Sequence, residues 1–443
     1  MSSSSNPFWL RYTPQFIRQR LEGRATLHAI IHNTGWLLGD KALRLGLGLL
    51  VGAWVARYLG PSQYGELIYV VAFVAFFQTI TLLGLNSVAI RDMARDREAS
   101  PVILGTVFRL RLITGFFCWL AAVAAMALFR PGDTDTLILT AVVAGTVIFQ
   151  AADTIDLWFQ SQTQSRRTVV AKAIAYVLNS MLKIGLILVK APLLYFALAM
   201  LMEFSLAAIA LYVSYRIYPA PFSWKWDMEW AQRLLKESWP YMISGLAIVI
   251  YMRIDQIMLR EMLGTHELGI YSAALPLSTT WYFIPMMISQ SAGPTIAKKK
   301  QSDPAGYNRA IDRLFSLSWW TMLPLSVTIA LFSGMMIELL YGTEYSASAS
   351  ILAVHVFATI PVALGVMQSI WIVNEGRSSL SLYKTVIGAV INVMLNFLWI
   401  PKYGALGAAL ATVAGQSVSA VFSNLFFAPK IFRAQMLCWI SFK

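Results

Sequence analysis

The stretch 35–56, GWLLGDKALRLGLGLLVGAWVA, carries charge only at Asp40, Lys41 and Arg44. About 20 mostly apolar residues are needed to cross about 30 Å of hydrocarbon as a helix, so this stretch reads as a transmembrane span. Eleven more stretches of the same kind follow, near 65–86, 104–128, 137–160, 168–189, 193–215, 238–260, 269–296, 314–337, 347–373, 379–400 and 405–427. They are too long and too continuously apolar for the alternating strands of an outer-membrane barrel. The expected fold is an all-α polytopic membrane protein with twelve transmembrane helices.

Composition agrees. Of 443 residues, 58% are hydrophobic and 13% charged, where a soluble chain carries about 25% charged residues. That excludes a soluble enzyme, a disordered chain and a collagen-like one. The net charge of +13 would suggest nucleic acid in a soluble protein, but here its placement is what matters, and no nucleic-acid partner is expected. Alternate loops hold 21 Lys and Arg against 5 in the remaining loops. Cytoplasmic loops are the enriched ones, so both termini are expected inside.

The chain divides into a cytoplasmic N-terminal segment (1–34), six spans (35–217), a linker (218–237), six more spans (238–428) and a cytoplasmic tail (429–443). The N-terminal segment lacks the features of a cleaved signal peptide; Phe16, Ile17 and Leu21 suggest a short interfacial helix. In the linker, Trp224, Trp226 and Trp230 stand among Lys225, Arg233 and Lys236, a pattern suited to an amphipathic helix at the headgroups. An internal echo supports the division into halves: LGPSQYG at 59–65 follows span one, and LGTHELG at 263–269 follows span seven. Duplicated halves place a substrate path at their interface.

Nine cations lie at membrane depth or near its edge: Lys41, Arg44, Arg109, Arg111, Lys172, Lys183, Arg253, Arg313 and Lys384. Asp40, Asp153, Asp156, Glu203 and Asp255 join them. Arg109, Arg111, Lys172, Arg313 and Lys384 are expected to snorkel to the boundary. Each of the deeper ones, facing lipid, would cost about 2.5–3.5 kcal/mol, so they must face a cavity or pair with one another. Asp40 and Arg44 are i,i+4 and share a face. Lys172, Tyr176, Asn179 and Lys183 form one stripe on span five, and Asp153, Asp156 and Gln160 one face of span four. Ser244, Tyr251 and Asp255 line a side of span seven; Thr412, Gln416, Ser419 and Ser423 line span twelve. Two readings stand: Lys41, Arg44, Lys183 and Arg253 hold an anionic headgroup, or the charges are helix-pinning pairs. Arg253 and Asp255, two apart, point to different faces, so that pair does not neutralise itself.

Motif searches return no phosphate loop, HExxH, CxxC or GxSxG, so neither catalysis nor a metal centre is expected. His355 reads as a hydrogen-bonded structural histidine. Cys118 and Cys438 read as structural as well. Gly46, Gly48 and Gly52 on span one, with Pro276 and Pro285 on span eight, are hinge candidates.

The segment ARYLGPSQYG at 56–65 resembles the span-one to span-two junction of the polysaccharide transport family, the O-antigen (Wzx-type) flippases of the multidrug/oligosaccharidyl-lipid/polysaccharide exporter (MOP) superfamily. RIDQIML at 253–259, LGIYSAA at 268–274, WYFIP at 281–285 and KYGALGAA at 402–409 carry the resemblance further. It implies a MATE-like bundle of two six-helix lobes around a cationic central cavity that opens alternately to each side. It also implies a monomeric, multi-pass protein of the bacterial inner membrane. Its substrate would be a polyprenyl-pyrophosphate-linked oligosaccharide, an O-antigen or exopolysaccharide repeat unit. By analogy the cycle needs no bound cofactor and is coupled to H+ or Na+, and a glycan polymerase and a chain-length regulator are the expected partners. Arg44, Lys41, Lys183 and Arg253 would contact the pyrophosphate. Asp40, Asp153, Asp156, Glu203 and Asp255 would couple or pair, and Tyr176, Asn179, Tyr251 and Gln416 would line the cavity.

Three alternatives are distinguishable. A multidrug exporter should show acidic residues without a basic excess. A lipid II flippase is closer, although those relatives typically have fourteen spans. A non-transporting membrane scaffold for glycan assembly leaves the buried charge unexplained.

Overall fold

The computed structural model describes residues 25–218 and 223–439. Among them there is no strand, and nine helices are long and apolar enough to cross a membrane. The chain is an all-helical, multi-pass membrane protein. The expected interfacial helix through Phe16, Ile17 and Leu21 lies outside the described residues.

Helix α1 (Ala25–Thr81) holds two apolar runs joined at Gly60, where φ is 70° and ψ 168°. That left-handed φ is one glycine adopts without strain, and Pro61 then opens the second arm, where its missing N–H has no partner to lose. After α2 (Leu85–Arg95) and α3 (Ser100–Phe129), the 137–160 run is broken into α4 (Thr134–Ala144) and α5 (Asp153–Ser161). Then come α6 (Arg166–Leu188) and α7 (Leu193–Ile217). The linker differs from expectation. Residues 223–227 are not helical; Lys225 N–H donates to the Pro101 carbonyl at 3.1 Å, and Trp224 stacks edge-on against Phe108. Helix α8 (Met228–Leu263) starts on an Asp227 cap and continues unbroken into the membrane run, so Trp230 and Arg253 share one helix.

Helices α9 (Thr265–Thr279) and α10 (Phe283–Ser302) are separated by a tight 3-10 turn. Pro285 and Pro276, which lack donors, sit on either side of it. Beyond α11 (Pro304–Leu331), α12 (Ser333–Tyr341), α13 (Ser348–His355) and α14 (Thr359–Asn374), helix α15 (Ser378–Ser417) turns at Gly404, φ 60°. A π-turn over Val418–Phe422 follows, and α16 (Pro429–Leu437) closes the described chain. The π-turn inserts a residue into the helical phase, which removes Ser419 and Ser423 from the stripe expected with Thr412 and Gln416. Ser419 packs instead at Gly388.

The two copies of the echo lie against each other. A Cβ on Gly65 would fall 2.8 Å from the Thr265 carbonyl carbon, and one on Gly269 would fall 2.7 Å from the Pro61 carbonyl carbon. Position 61 matches 265 and position 65 matches 269 in the repeat, so this is a reciprocal contact of backbone on backbone. It closes the face carrying the turns at Gly60, Gly264 and Gly404, called here the opposite face; the basic face carries the Lys- and Arg-rich loops.

Three cations expected to snorkel do not: Lys172 is paired with Asp153 and Asp156, and Arg111 and Lys384 are buried. Arg111 is fully buried and donates to Asn86 Oδ1, with Nε and Nη1 unpartnered among the described residues. Lys384 is also buried, and its ammonium donates to Gln368 Oε1 and, at 3.5 Å, to the Ala420 carbonyl. The same carbonyl accepts from Asn424 Nδ2 at 2.9 Å and from Gln435 Nε2 of α16 at 3.1 Å. Arg111 and Lys384 lie under other helices, which closes the route to the boundary. Lys384 is held by neutral acceptors alone among the described residues. Lys384→Met keeps the volume and removes the charge, and Gln368 Oε1 keeps its Asn424 donor at 3.1 Å. The substitution should raise the thermal midpoint in detergent, by up to about 2.5–3.5 kcal/mol of stability; a lower midpoint would mean the ammonium itself holds α16 in place.

Candidate functional site

A chamber of about 700 Å³ lies between α1 on one side and α8, α9, α10 and α15 on the other. The sequence-predicted Lys41, Arg44, Tyr251, Arg253, Asp255 and Gln416 all line it, drawn from segments up to 375 positions apart. Its wall also includes Gln78, Thr79, Gln256, Tyr282, Thr412 and His355. Gln256 was missed in the sequence, although it stands three positions after Arg253 and therefore on the same face. Gln78 and Thr79 carried no charge signal at all.

Arg44, Arg253 and Asp255 each have defined partners. Arg44 Nε donates to Asp40 at 3.0 Å, its guanidinium lies 4.9 Å from the Tyr176 ring centroid, and Tyr176 hydroxyl donates to the Arg44 carbonyl at 3.3 Å. Gly48 makes that approach feasible, since a Cβ there would be 2.8 Å from the Tyr176 hydroxyl. Arg253 donates to Gln256 Oε1 at 3.2 Å and is in none of the ion pairs of the described residues. Asp255 is buried; it accepts from Tyr271 hydroxyl and, at 2.8 Å, from Gln256 N–H. It is thereby held away from Arg253, as the spacing of two predicts. Tyr251 hydroxyl is buried without a partner among the described residues. His355 is buried, with Nδ1 2.8 Å from Ser278 Oγ. Among the described residues the chamber wall thus carries Lys41, Arg44 and Arg253 with one carboxylate, Asp255, while Arg44 is also paired with Asp40 behind the wall.

The remaining candidates sit behind α1 rather than in the chamber. Lys172 bridges Asp153 at 2.7 Å and Asp156 at 2.8 Å, and Asp156 also accepts from Gln160 and Thr168. Lys172, Asp153, Asp156 and Thr168, with Asp40, Arg44 and Glu203, line a second pocket of about 280 Å³. Lys183 lies 3.5 Å from Glu203, which also accepts from Asn179 Nδ2 at 2.6 Å. Lys183 and Tyr176 line a small separate pocket that reaches α1 at Gly48. Lys183 is therefore not among the cations of the central chamber, and Arg44 is the one that borders both it and the second pocket.

The opposite face is latched by charge as well as by the glycine contact. Arg260 lies 3.5 Å from Glu66 and 3.6 Å from Asp133, Arg130 lies 2.6 Å from Glu261, and Tyr69 hydroxyl donates to Glu261 at 2.8 Å. Asp133 caps α4 by accepting from Thr136 N–H at 3.1 Å. Its partial burial favours the neutral acid, but the Thr136 hydrogen bonds and the Arg260 and Arg130 cations outweigh this and hold the carboxyl below its ordinary range. It stays ionised at neutral pH, and its share of the latch is lost only as pH falls below about 4. In the sequence Arg130 and Arg260 stand out only as loop cations.

Comparison with known proteins places this architecture. The family model "Polysaccharide biosynthesis protein" matches residues 30–300, and the model "Lipid II flippase MurJ" matches 218–441. The capsular polysaccharide biosynthesis protein CapF of Staphylococcus aureus is 22% identical over 91% of this chain and all of its own length. "Probable flippase AglR" of Haloferax volcanii is 28% identical over 40% of this chain and 38% of its own length. The shorter alignments take in 27–43% of the curated relatives concerned. Among solved structures, a lipid II flippase in an inward closed conformation superposes with a TM-score of 0.68 at 16% identity, covering 93% of this chain and 91% of that one. An inward-facing MATE transporter of the MOP superfamily superposes with a TM-score of 0.70 at 17% identity, covering 89% and 96%. Those two share the fold; AglR is named a probable flippase, and relatives from two Shigella species are named putative O-antigen transporters. With more than half of its length matched by the first family model, the chain belongs to the polysaccharide biosynthesis protein family.

Proposed function

We propose that the chain is a flippase that carries a polyprenyl-pyrophosphate-linked oligosaccharide from the cytoplasmic to the periplasmic leaflet by alternating access, coupled to H+ or Na+. The cation excess in the chamber supports this reading most directly. A pyrophosphate cannot cross hydrocarbon bare, and Lys41, Arg44 and Arg253 offer it donors along the way. An organic-cation exporter would want the reverse balance. The lipid II reading has the second family model in its favour, and it shares the diphosphate chemistry while differing in the sugar.

The same proposal includes twelve spans in two lobes of six. Helices α1 and α15 would each supply two spans by turning at Gly60 and Gly404, and α9 with α10 would supply one. The basic face would be cytoplasmic on the 21-to-5 loop charge ratio, with both termini there and the inner membrane as location.

Vesicles containing this chain alone provide the test. A fluorescent polyprenyl-diphosphate glycan placed in one leaflet should become quenchable from the other faster than in empty vesicles, and an imposed ion gradient should raise the rate. No acceleration in any gradient would sink the transport reading in favour of the scaffold.

A further inference from the structure

We propose that the recess between the first arm of α1 and α6 is the track for the isoprenoid chain of the carrier lipid; this rests on the flippase reading. It is a groove of about 540 Å³ whose lining is apolar except for Asp40. Trp36 and Leu43 form one wall. Ile174, Leu178 and Met181, at offsets 0, 4 and 7 on α6 and each half or more exposed, form the other. Apolar faces toward lipid are ordinary in a membrane protein. This one is a recess, because Gly39 has no side chain and, among the described residues, nothing lies within 4 Å of where a Cβ would be.

Where the recess leads decides its occupant. Asp40 lines both the groove and the second pocket, and Arg44 lines both the second pocket and the central chamber. The Asp40–Arg44 pair therefore stands as a charged partition between an apolar channel open to the bilayer and a cationic chamber. A lipid whose terminal carbon bears a diphosphate needs this arrangement: its chain stays in hydrocarbon while its anionic end reaches Arg44. A bilayer phospholipid has no reason to prefer this recess to any other lipid-facing surface. The mouth of the groove is marked by Arg166, whose guanidinium lies 5.0 Å from the Trp36 ring centroid. That cation sits at headgroup level, where a phosphate-bearing lipid would first be met.

The test uses the full chain in vesicles and a labelled long-chain polyprenyl-diphosphate sugar. A photo-crosslinking residue replaces Ile174, or Phe117 on α3, which is 63% exposed but outside the groove. Capture at position 174 in clear excess over position 117, persisting in a large excess of phospholipid, is the expected result. Equal capture at both sites, or crosslinks from 174 to a second copy of the chain, would overturn the proposal. Independently, Gly39→Phe puts a ring into the recess from a position where a Cβ meets nothing within 4 Å among the described residues, and about a tenfold loss of long-chain flipping is expected, with a truncated-tail analogue spared. If the unmodified chain flips the probe while capture is unselective and Gly39→Phe is silent, the groove is refuted and the flippase reading stands. If the unmodified chain neither flips nor captures the probe, both fail.

Discussion

Gly65→Val and Gly269→Val should each abolish transport while leaving the protein in the membrane. The reason lies in the backbone. At both positions the first side-chain carbon would sit inside the van der Waals shell of a carbonyl on the facing segment, Thr265 for Gly65 and Pro61 for Gly269. Cβ is fixed by the backbone, so no rotamer change relieves the overlap; the two helix ends must part. Overpacking of this kind costs about 1–3 kcal/mol, and a coupling of that size shifts a two-state equilibrium by about 5–150-fold. The penalty falls on the conformation in which the opposite face is sealed, so its population drops while the unsealed form is untouched. Water-soluble thiol reagents should therefore reach a cysteine placed in the chamber from the opposite face in the valine variants and not in the parent. Cys118 and Cys438 are buried, which keeps the background low. Gly185→Val on α6 is the control, because nothing lies within 4 Å of a Cβ there among the described residues. If the Gly65 and Gly269 variants transport normally, the reciprocal contact is incidental packing and the sealed face does not belong to the cycle.

That contact was half legible in the sequence. The 204-residue echo is visible in LGPSQYG and LGTHELG, but a repeat announces similar local structure and not that its copies touch. The chamber was more legible. Lys41, Arg44 and Arg253 were identifiable because charge inside an apolar run is expensive and has to be accommodated, and they converge. Lys183 was misplaced among them for a related reason. Helical periodicity gives the face a residue occupies, and on α6 that face meets Glu203 of the neighbouring helix rather than the chamber. Lys384 and Arg111 were read as snorkelling from their distance along the chain, but the helices that cover them come from elsewhere in the sequence. The π-turn at Val418–Phe422 left no signature in hydropathy, and it is what separated Ser419 and Ser423 from Gln416.

The largest functional effects are expected at Arg44 and Arg253, and together they separate anion binding from helix pinning. Arg253 donates to a neutral amide at 3.2 Å, so Arg253→Gln breaks no ion pair of the described residues and should barely move the thermal midpoint. If its guanidinium contacts a phosphate, the lost charge-assisted bond is worth about 1.5–3 kcal/mol, and half-saturating substrate should rise by about 10–150-fold. Arg44 needs a different design, because Arg44→Gln strands Asp40 and confounds folding with function. The exchange Asp40→Arg with Arg44→Asp restores an i,i+4 pair in the opposite order. A pair that only pins the helix should survive the exchange with stability and transport both recovered relative to Arg44→Gln. If Arg44 lends its charge to substrate, the exchange should recover the midpoint and not the transport, since the cation has moved one turn away from the chamber wall it borders. Recovery of both would leave Arg253 as the chamber's deep anion contact and assign the Asp40–Arg44 pair to holding α1 in shape. Recovery of neither would mean that the order of the pair matters to the fold, because Tyr176 hydroxyl and ring both sit on Arg44; Tyr176→Phe, which keeps the ring and drops the hydrogen bond, then separates those two contacts.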